Sequence, residues 1–191
     1  MLLKEIEKIC KYEKSVILYT LPDGSQWCGT GSALFPLSGM PENLSMDNVI
    51  RLLNISDSEL EKIYKADKQM IKEDPSCEVF FDTVTDETEI EQTFPVIVAN
   101  GVLYNSYRIS DGIMFINNKF VKAFREKDVE YRFFERRSKS QKTPFLVVKR
   151  GLFIDGVIFP RELCKDAAFC DELSNMAALC SLEYDKHHEE E

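Results

Sequence analysis

The densest group of chemically competent side chains in this sequence is basic. Residues 119–150 hold eleven Lys and Arg: Lys119, Lys122, Arg125, Lys127, Arg132, Arg136, Arg137, Lys139, Lys142, Lys149 and Arg150. Four acids accompany them, Glu126, Asp128, Glu130 and Glu135. The local excess is seven positive charges in a chain of net charge −9, so the remainder carries −16. A polarity of this size focuses field and steers a polyanion toward one face. One reading makes Lys119, Lys122, Arg125, Lys127, Arg132, Arg136, Arg137, Lys139 and Lys142 a contact surface for phosphate backbone. The other makes the stretch a solvated face, or a patch docked on the protein's own acidic half.

Other chemistries find less support. The two His, His187 and His188, stand in an acidic tail, EYDKHHEEE, expected to be solvated and frayed. No imidazole is therefore expected in a formed site, which disfavours Ser-His-Asp and Cys-His catalysis and His-containing zinc sites. The six Cys are Cys10, Cys28, Cys77, Cys164, Cys170 and Cys180, with no CxxC spacing among them. They read as reduced thiols, the last three on one helical stripe with Leu173, Met176 and Ala177. Asp82, Asp86, Glu87, Glu89 and Glu91 could gather Mg²⁺, but their alternation with Thr and Ile suits a solvated edge. Gly29-Thr30-Gly31-Ser32 resembles a phosphate-cradling loop. Pro36 and the β-like run before it stop the helix such a loop needs, so a turn between strands is expected. No catalytic residue, metal site or cofactor motif is assigned. An enzyme working through paired carboxylates is the least supported class.

The elements that must position these residues follow from periodicity. Residues 2–12 form a short amphipathic helix through Leu2, Leu3, Ile6 and Ile9. VILYT, QWCGT and SALFPL make a β-meander over 16–37, turned at PDGS, with Trp27 as a core anchor. Ser45 starts one helix, and Ser56 with Glu59 forms a capping box for a second, over roughly 57–72. From residue 77 the period changes to two. CEVFFDTV reads as a strand and TDETEIEQ as an acidic loop. FPVIVA, GVLYNSYRI and GIMFI are further strands, the first two joined by an Asn100-Gly101 turn. A helix follows over 117–128, with Phe120, Val121 and Phe124 inward and Lys119 and Lys122 outward. Three β-rich runs and a last helix, roughly 161–182, complete the chain.

The fold class is α+β: a mostly antiparallel sheet over 77–160 with flanking helices. The organisation expected is 1–76 (meander plus helices), 77–182 (β-rich, ending in a helix) and an acidic tail, 183–191. One compact domain is the alternative. No apolar run reaches the roughly 18 residues of a membrane helix, and no secretory segment is seen. A cytoplasmic location without membrane contact is the expectation.

Residues 111–163 carry a resemblance. Their order is strand, helix, strand, strand, strand. Asn117-Asn118 precedes Lys119-Phe120-Val121-Lys122-Ala123-Phe124, and Val129–Phe134, Pro144–Val148 and Val157–Pro160 follow. This resembles the repeating unit of sliding DNA clamps, the processivity rings of replicative polymerases. In that family the helices line the ring and present Lys and Arg to DNA phosphates without base contacts. The resemblance implies that Lys119, Lys122 and Arg125 face double-stranded DNA, that the protein is non-catalytic, and that short chains assemble. The alternative partner is a protein. The chain would then be an assembly module, such as an accessory protein of a phage or mobile element, with opposed charge halves driving docking or homo-oligomerisation.

Overall fold

The computed structural model describes residues 3–21, 23–40, 43–66, 87–125, 127–137, 143–160 and 167–188. It is an α+β fold built on two antiparallel sheets. The meander appears as β1 (Ile17–Thr20), β2 (Gln26–Gly29) and β3 (Ala33–Pro36). Gly24, at φ +83°, turns the chain between β1 and β2, and Asp23 accepts hydrogen bonds from the Ser25 amide and hydroxyl. Gly29 ends β2 where a Cβ would sit 2.1 Å from the Ala33 carbonyl oxygen. The Gly29–Ser32 loop is the expected turn between strands.

The larger sheet runs β1-β2-β3-β10-β9-β8-β4, with β4 (Thr88–Ile90), β8 (Arg132–Arg136), β9 (Phe145–Arg150) and β10 (Phe153–Ile158). The smaller holds β5 (Gln92–Ala99), β6 (Val102–Ile109) and β7 (Gly112–Asn117) in that order. β3 pairs with β10, so a boundary near residue 76 does not separate two sheets.

Alternation along each strand decides what it buries. On β9, Leu146 and Val148 enter the main core while Phe145 and Val147 enter a second cluster on the opposite face. Trp27 joins that second cluster with Tyr19, Leu34 and Val157. The large sheet is thus buried on both sides. The main core also takes Ile6, Ile9 and Cys10 from α1 (Leu3–Glu13) and Val49 and Ile50 from α2 (Met46–Leu52). Ile63 comes from α3 (Asp57–Ala66). Ser45 caps α2 by accepting from the Asn48 amide. Ser56 donates its amide and hydroxyl to Glu59 ahead of α3, the expected capping box.

On β7, Met114 and Ile116 face the main core, and Ile113 and Phe115 face the last helix. The smaller sheet is therefore a middle layer. Asn100 and Gly101, at φ +50° and +73°, make the tight hairpin between β5 and β6.

Four expectations change. The helix expected over 117–128 is one α-turn, α4 (Asn118–Val121), closed by a 3-10 turn at Lys122–Phe124. Phe120, Val121, Ala123 and Phe124 are all buried, and Asp128 reverses the chain at φ +66° before β8. The acidic stretch 85–92, expected as a loop, contributes β4, which pairs with β8, buries Ile90 in the main core and brings Glu89 within reach of Arg132. The tail is helical over its described part, 183–188, as the end of α5 (Ala167–His188). Tyr184 stacks on Phe94 at 5.3 Å and Asp185 pairs with Arg108 at 2.7 Å, which docks its end. On that helix Ala177 is buried, but Met176 and Cys180 are exposed rather than part of a core stripe. The strand expected at 77–84, and Cys77, Cys164 and residues 161–166, lie outside the described residues.

The order strand, helix, strand, strand, strand over 111–163 is present as β7, α4, β8, β9 and β10. Its first strand belongs to the smaller sheet and its last three to the larger.

Candidate functional site

The basic stretch divides in two when folded. The hairpin half is neutralised from within. Arg132 donates from Nε to Glu89 at 2.6 Å. Arg136, 3% exposed, reaches Glu87 at 3.2 Å, and Lys149 contacts the same carboxylate. Arg137 bridges Asp111 at 2.5 Å and Glu135 at 2.9 Å. Glu135 also accepts from the Ser110 amide and hydroxyl. Arg150 pairs with Asp155 at 3.2 Å. The hydrogen bond to Arg132 holds the Glu89 carboxyl below the usual range, and Glu89 raises Arg132 in return. Asp111 and then Glu135 raise Arg137 in the same way. Glu87 and Glu89 thus direct their carboxylates at Arg and Lys. Asp82, Asp86, Lys139 and Lys142 lie outside the described residues. Among the described residues no group of three His, Cys, Asp or Glu could hold a metal ion.

The helical half is arranged differently. Asn117 accepts from the Lys119 amide at 2.9 Å, which starts α4. Phe120 and Phe124 anchor the turn in the core. Phe124 packs on Phe35, ring centroids 5.5 Å apart, and lies directly on β10 at Gly156. A Cβ at Gly156 would stand 2.3 Å from the Phe124 ring, so glycine is what lets the turn sit this close. With its apolar side seated, the turn directs Lys119, Lys122 and Arg125 outward, all exposed. Lys127 is exposed beyond them. Among the described residues no carboxylate lies within salt-bridge range of these four cations.

α1 packs beside this turn and completes an open cleft of about 620 Å³. Glu5, Lys8, Ile9 and Tyr12 line one wall, and Lys119, Lys122 and Arg125 the other. The Lys119 ammonium sits 3.5 Å over the Tyr12 ring, a cation–π contact. Lys8 pairs with Glu5 at 2.5 Å. The cleft therefore gathers four cations around one carboxylate. Arg125 donates to Asn118 Oδ1 at 3.3 Å, and buried Asn105 on β6 donates to the same oxygen at 3.3 Å. Behind them, burial pushes the Tyr107 hydroxyl up to about 12, so it stays neutral near the guanidinium.

Lys8 and Tyr12 were not singled out from sequence. Their signal is the 5, 8, 9, 12 spacing, which sets one face of a helix toward a neighbour. Only the packing of α1 on α4 shows which neighbour that is. No protein-family model, no curated protein and no solved structure matches this chain. Burial pushes the Cys28 thiol up to about 12 and that of Cys10 further still, so neither of these two offers a thiolate near neutral pH. Among the described residues no helix is long and apolar enough to cross a membrane.

Proposed function

We propose that the chain is a non-catalytic DNA-associated protein, clamp-like over 111–163, that contacts duplex phosphates through the cleft between α1 and α4. The supporting observation is the contrast within the basic stretch. The described hairpin cations have carboxylate partners, whereas Lys119, Lys122 and Arg125 line an open cleft without one among the described residues. Cations without partners are those whose approach to phosphate releases counterions at no cost in broken ion pairs. Contacts from Lys and Arg to phosphate fix a duplex in place without reading its bases, so a contact of this kind is sequence-independent. The chain's net charge of −9 repels DNA elsewhere, which makes binding local and sensitive to salt.

Fluorescence anisotropy with labelled duplex at low salt tests the reading. The triple variant Lys119→Glu, Lys122→Glu, Arg125→Glu should lose all salt-dependent binding. Unchanged binding by that variant would overturn the assignment. A second reading, an assembly module without a nucleic-acid role, rests on the uncharged exposed surface of β5 and α5.

A further inference from the structure

The cleft between α1 and α4 is concave. At about 620 Å³ it falls within the roughly 300–1,000 Å³ of sites for small groups. A duplex lying across it rests on the rim, and the interior is left for a group that projects. Two of the cations inside are held by uncharged partners. The Lys119 ammonium sits 3.5 Å over the Tyr12 ring on α1. Arg125 donates to Asn118 Oδ1 at 3.3 Å. Asn118 is itself fixed, because Asn105, 2% exposed on β6, donates to the same oxygen at 3.3 Å. A ring face and an amide oxygen orient a cation without neutralising it. The carboxylates that meet Arg132 and Arg137 do both. Lys122 lines the same wall, while Lys8 on the other wall is balanced by Glu5. Three positive charges without a carboxylate partner among the described residues therefore converge on one small cleft, two of them already oriented.

We infer that the cleft is a site for a phosphate monoester: the terminal phosphate of a nucleic-acid strand, or the same group on a free nucleotide. The inference rests on the phosphate-binding role proposed above for this cleft, and narrows it from backbone in general to a monoester. Near pH 7 a monoester carries about 1.5–2 negative charges on three acceptor oxygens, whereas each backbone phosphate carries a single charge. Three converging cations suit the first better than the second. One N–H of Arg125 goes to Asn118, and the rest of its planar fork takes two phosphate oxygens side by side. An ammonium has three N–H groups, so Lys119 keeps the Tyr12 ring and still donates to phosphate. Tyr12, exposed by 40%, gives the attached nucleoside an apolar wall. Diffuse attraction to a polyanion needs none of this orientation, and the hairpin cations have no such arrangement of uncharged partners around a cleft.

Two measurements on the full chain test it. Anisotropy compares an internally labelled duplex phosphorylated at its strand ends with the same duplex carrying hydroxyl ends. Calorimetry follows adenosine monophosphate. The phosphorylated duplex should bind about tenfold tighter, which assigns the strand end as the source. Equal duplex affinities with calorimetric binding of adenosine monophosphate would assign the free nucleotide. Arg125→Lys keeps the charge but loses the fork and the Asn118 contact, and should bring the tenfold ratio, or the binding of adenosine monophosphate, down to about a fifth. Tyr12→Leu releases Lys119 and should lower the same quantity. The ratio is the readout for the strand end, because a loss of folding or of total charge lowers both affinities alike. Equal duplex affinities with no adenosine monophosphate bound up to about 5 mM would overturn the inference and leave the backbone reading standing. A preference that survives both variants would also overturn it, by placing the monoester elsewhere. If neither duplex binds, the backbone reading falls, and the calorimetry alone decides the monoester site.

Discussion

The turn that carries Lys119, Lys122 and Arg125 and the hairpin that carries Arg132, Arg136 and Lys149 come from one continuous basic stretch, yet the fold gives them opposite surroundings. Each described hairpin cation lies within reach of a carboxylate: Glu87, Glu89, Asp111, Glu135 or Asp155. The turn's cations have none among the described residues, and α1 adds Lys8 beside them. Charge density in a sequence therefore overstates the charge a surface offers. What counts is the fraction of cations left without a partner once strands are in register. Here the register of β4 with β8 does the sorting, by placing Glu89 beside Phe134 and within reach of Arg132.

That contrast can be broken at either end. The largest effect is on binding. Reversing Lys119, Lys122 and Arg125 should cost at least 100-fold in duplex affinity at low salt. Replacing Arg132 and Arg150 with Gln should change it less than threefold, as titration by anisotropy would show. The largest effect on stability lies in the hairpin. Arg136→Met leaves Glu87 only Lys149 as a partner and should cost about 3 kcal/mol in urea unfolding without weakening DNA binding. Gly156→Ala should cost about 1–3 kcal/mol, because the new methyl displaces Phe124. It should also weaken binding, because Phe124 seats the turn that presents the cations.

Smaller effects sharpen the same division. The Ser56 amide and hydroxyl and then Lys11 hold the Glu59 carboxyl down at about 2, against an ordinary value of 4.5. A depressed carboxyl stabilises the fold above its unfolded value and loses that contribution as pH falls toward the folded one. Stability should therefore drop between about pH 4.5 and 2, and Glu59→Gln should flatten that part of the profile in thermal melts. Smallest is the coupling between Arg132 and Glu89. Both are about half exposed and screened by water, so a double-mutant cycle should return only a weak coupling that shrinks further in high salt.

How much of this was legible beforehand depended on the range of the interaction. The Ser56–Glu59 box, the Ser45 cap, the Asn100-Gly101 hairpin and the three-strand meander are written in residues a few positions apart. They appear where local chemistry puts them. Lys119, Lys122 and Arg125 were also readable, because outward cations opposite inward Phe120 and Phe124 are a local pattern. The pairing of β3 with β10 and of β4 with β8 was not, since each joins segments remote in sequence. Without β8 opposite it, Thr88–Ile90 has no apolar face to mark it as a strand. The tail likewise needed Phe94 and Arg108, remote in sequence, to dock Tyr184 and Asp185. The seat of the short α4 also depends on a remote residue, because Gly156 on β10 leaves the room that the Phe124 ring takes.

The most direct measurement is the slope of duplex affinity against salt. On B-DNA the logarithm of the binding constant falls by about 0.9 per phosphate neutralised for each log unit of salt. The three cleft cations without a carboxylate partner among the described residues, Lys119, Lys122 and Arg125, predict a slope of about −2.7, reduced by about one for each of Lys119→Gln, Lys122→Gln and Arg125→Gln. A slope of about −8, or one that Arg132→Gln lowers and Lys122→Gln does not, would mean that the hairpin opens its ion pairs to DNA. That result would contradict the division of the basic stretch proposed here.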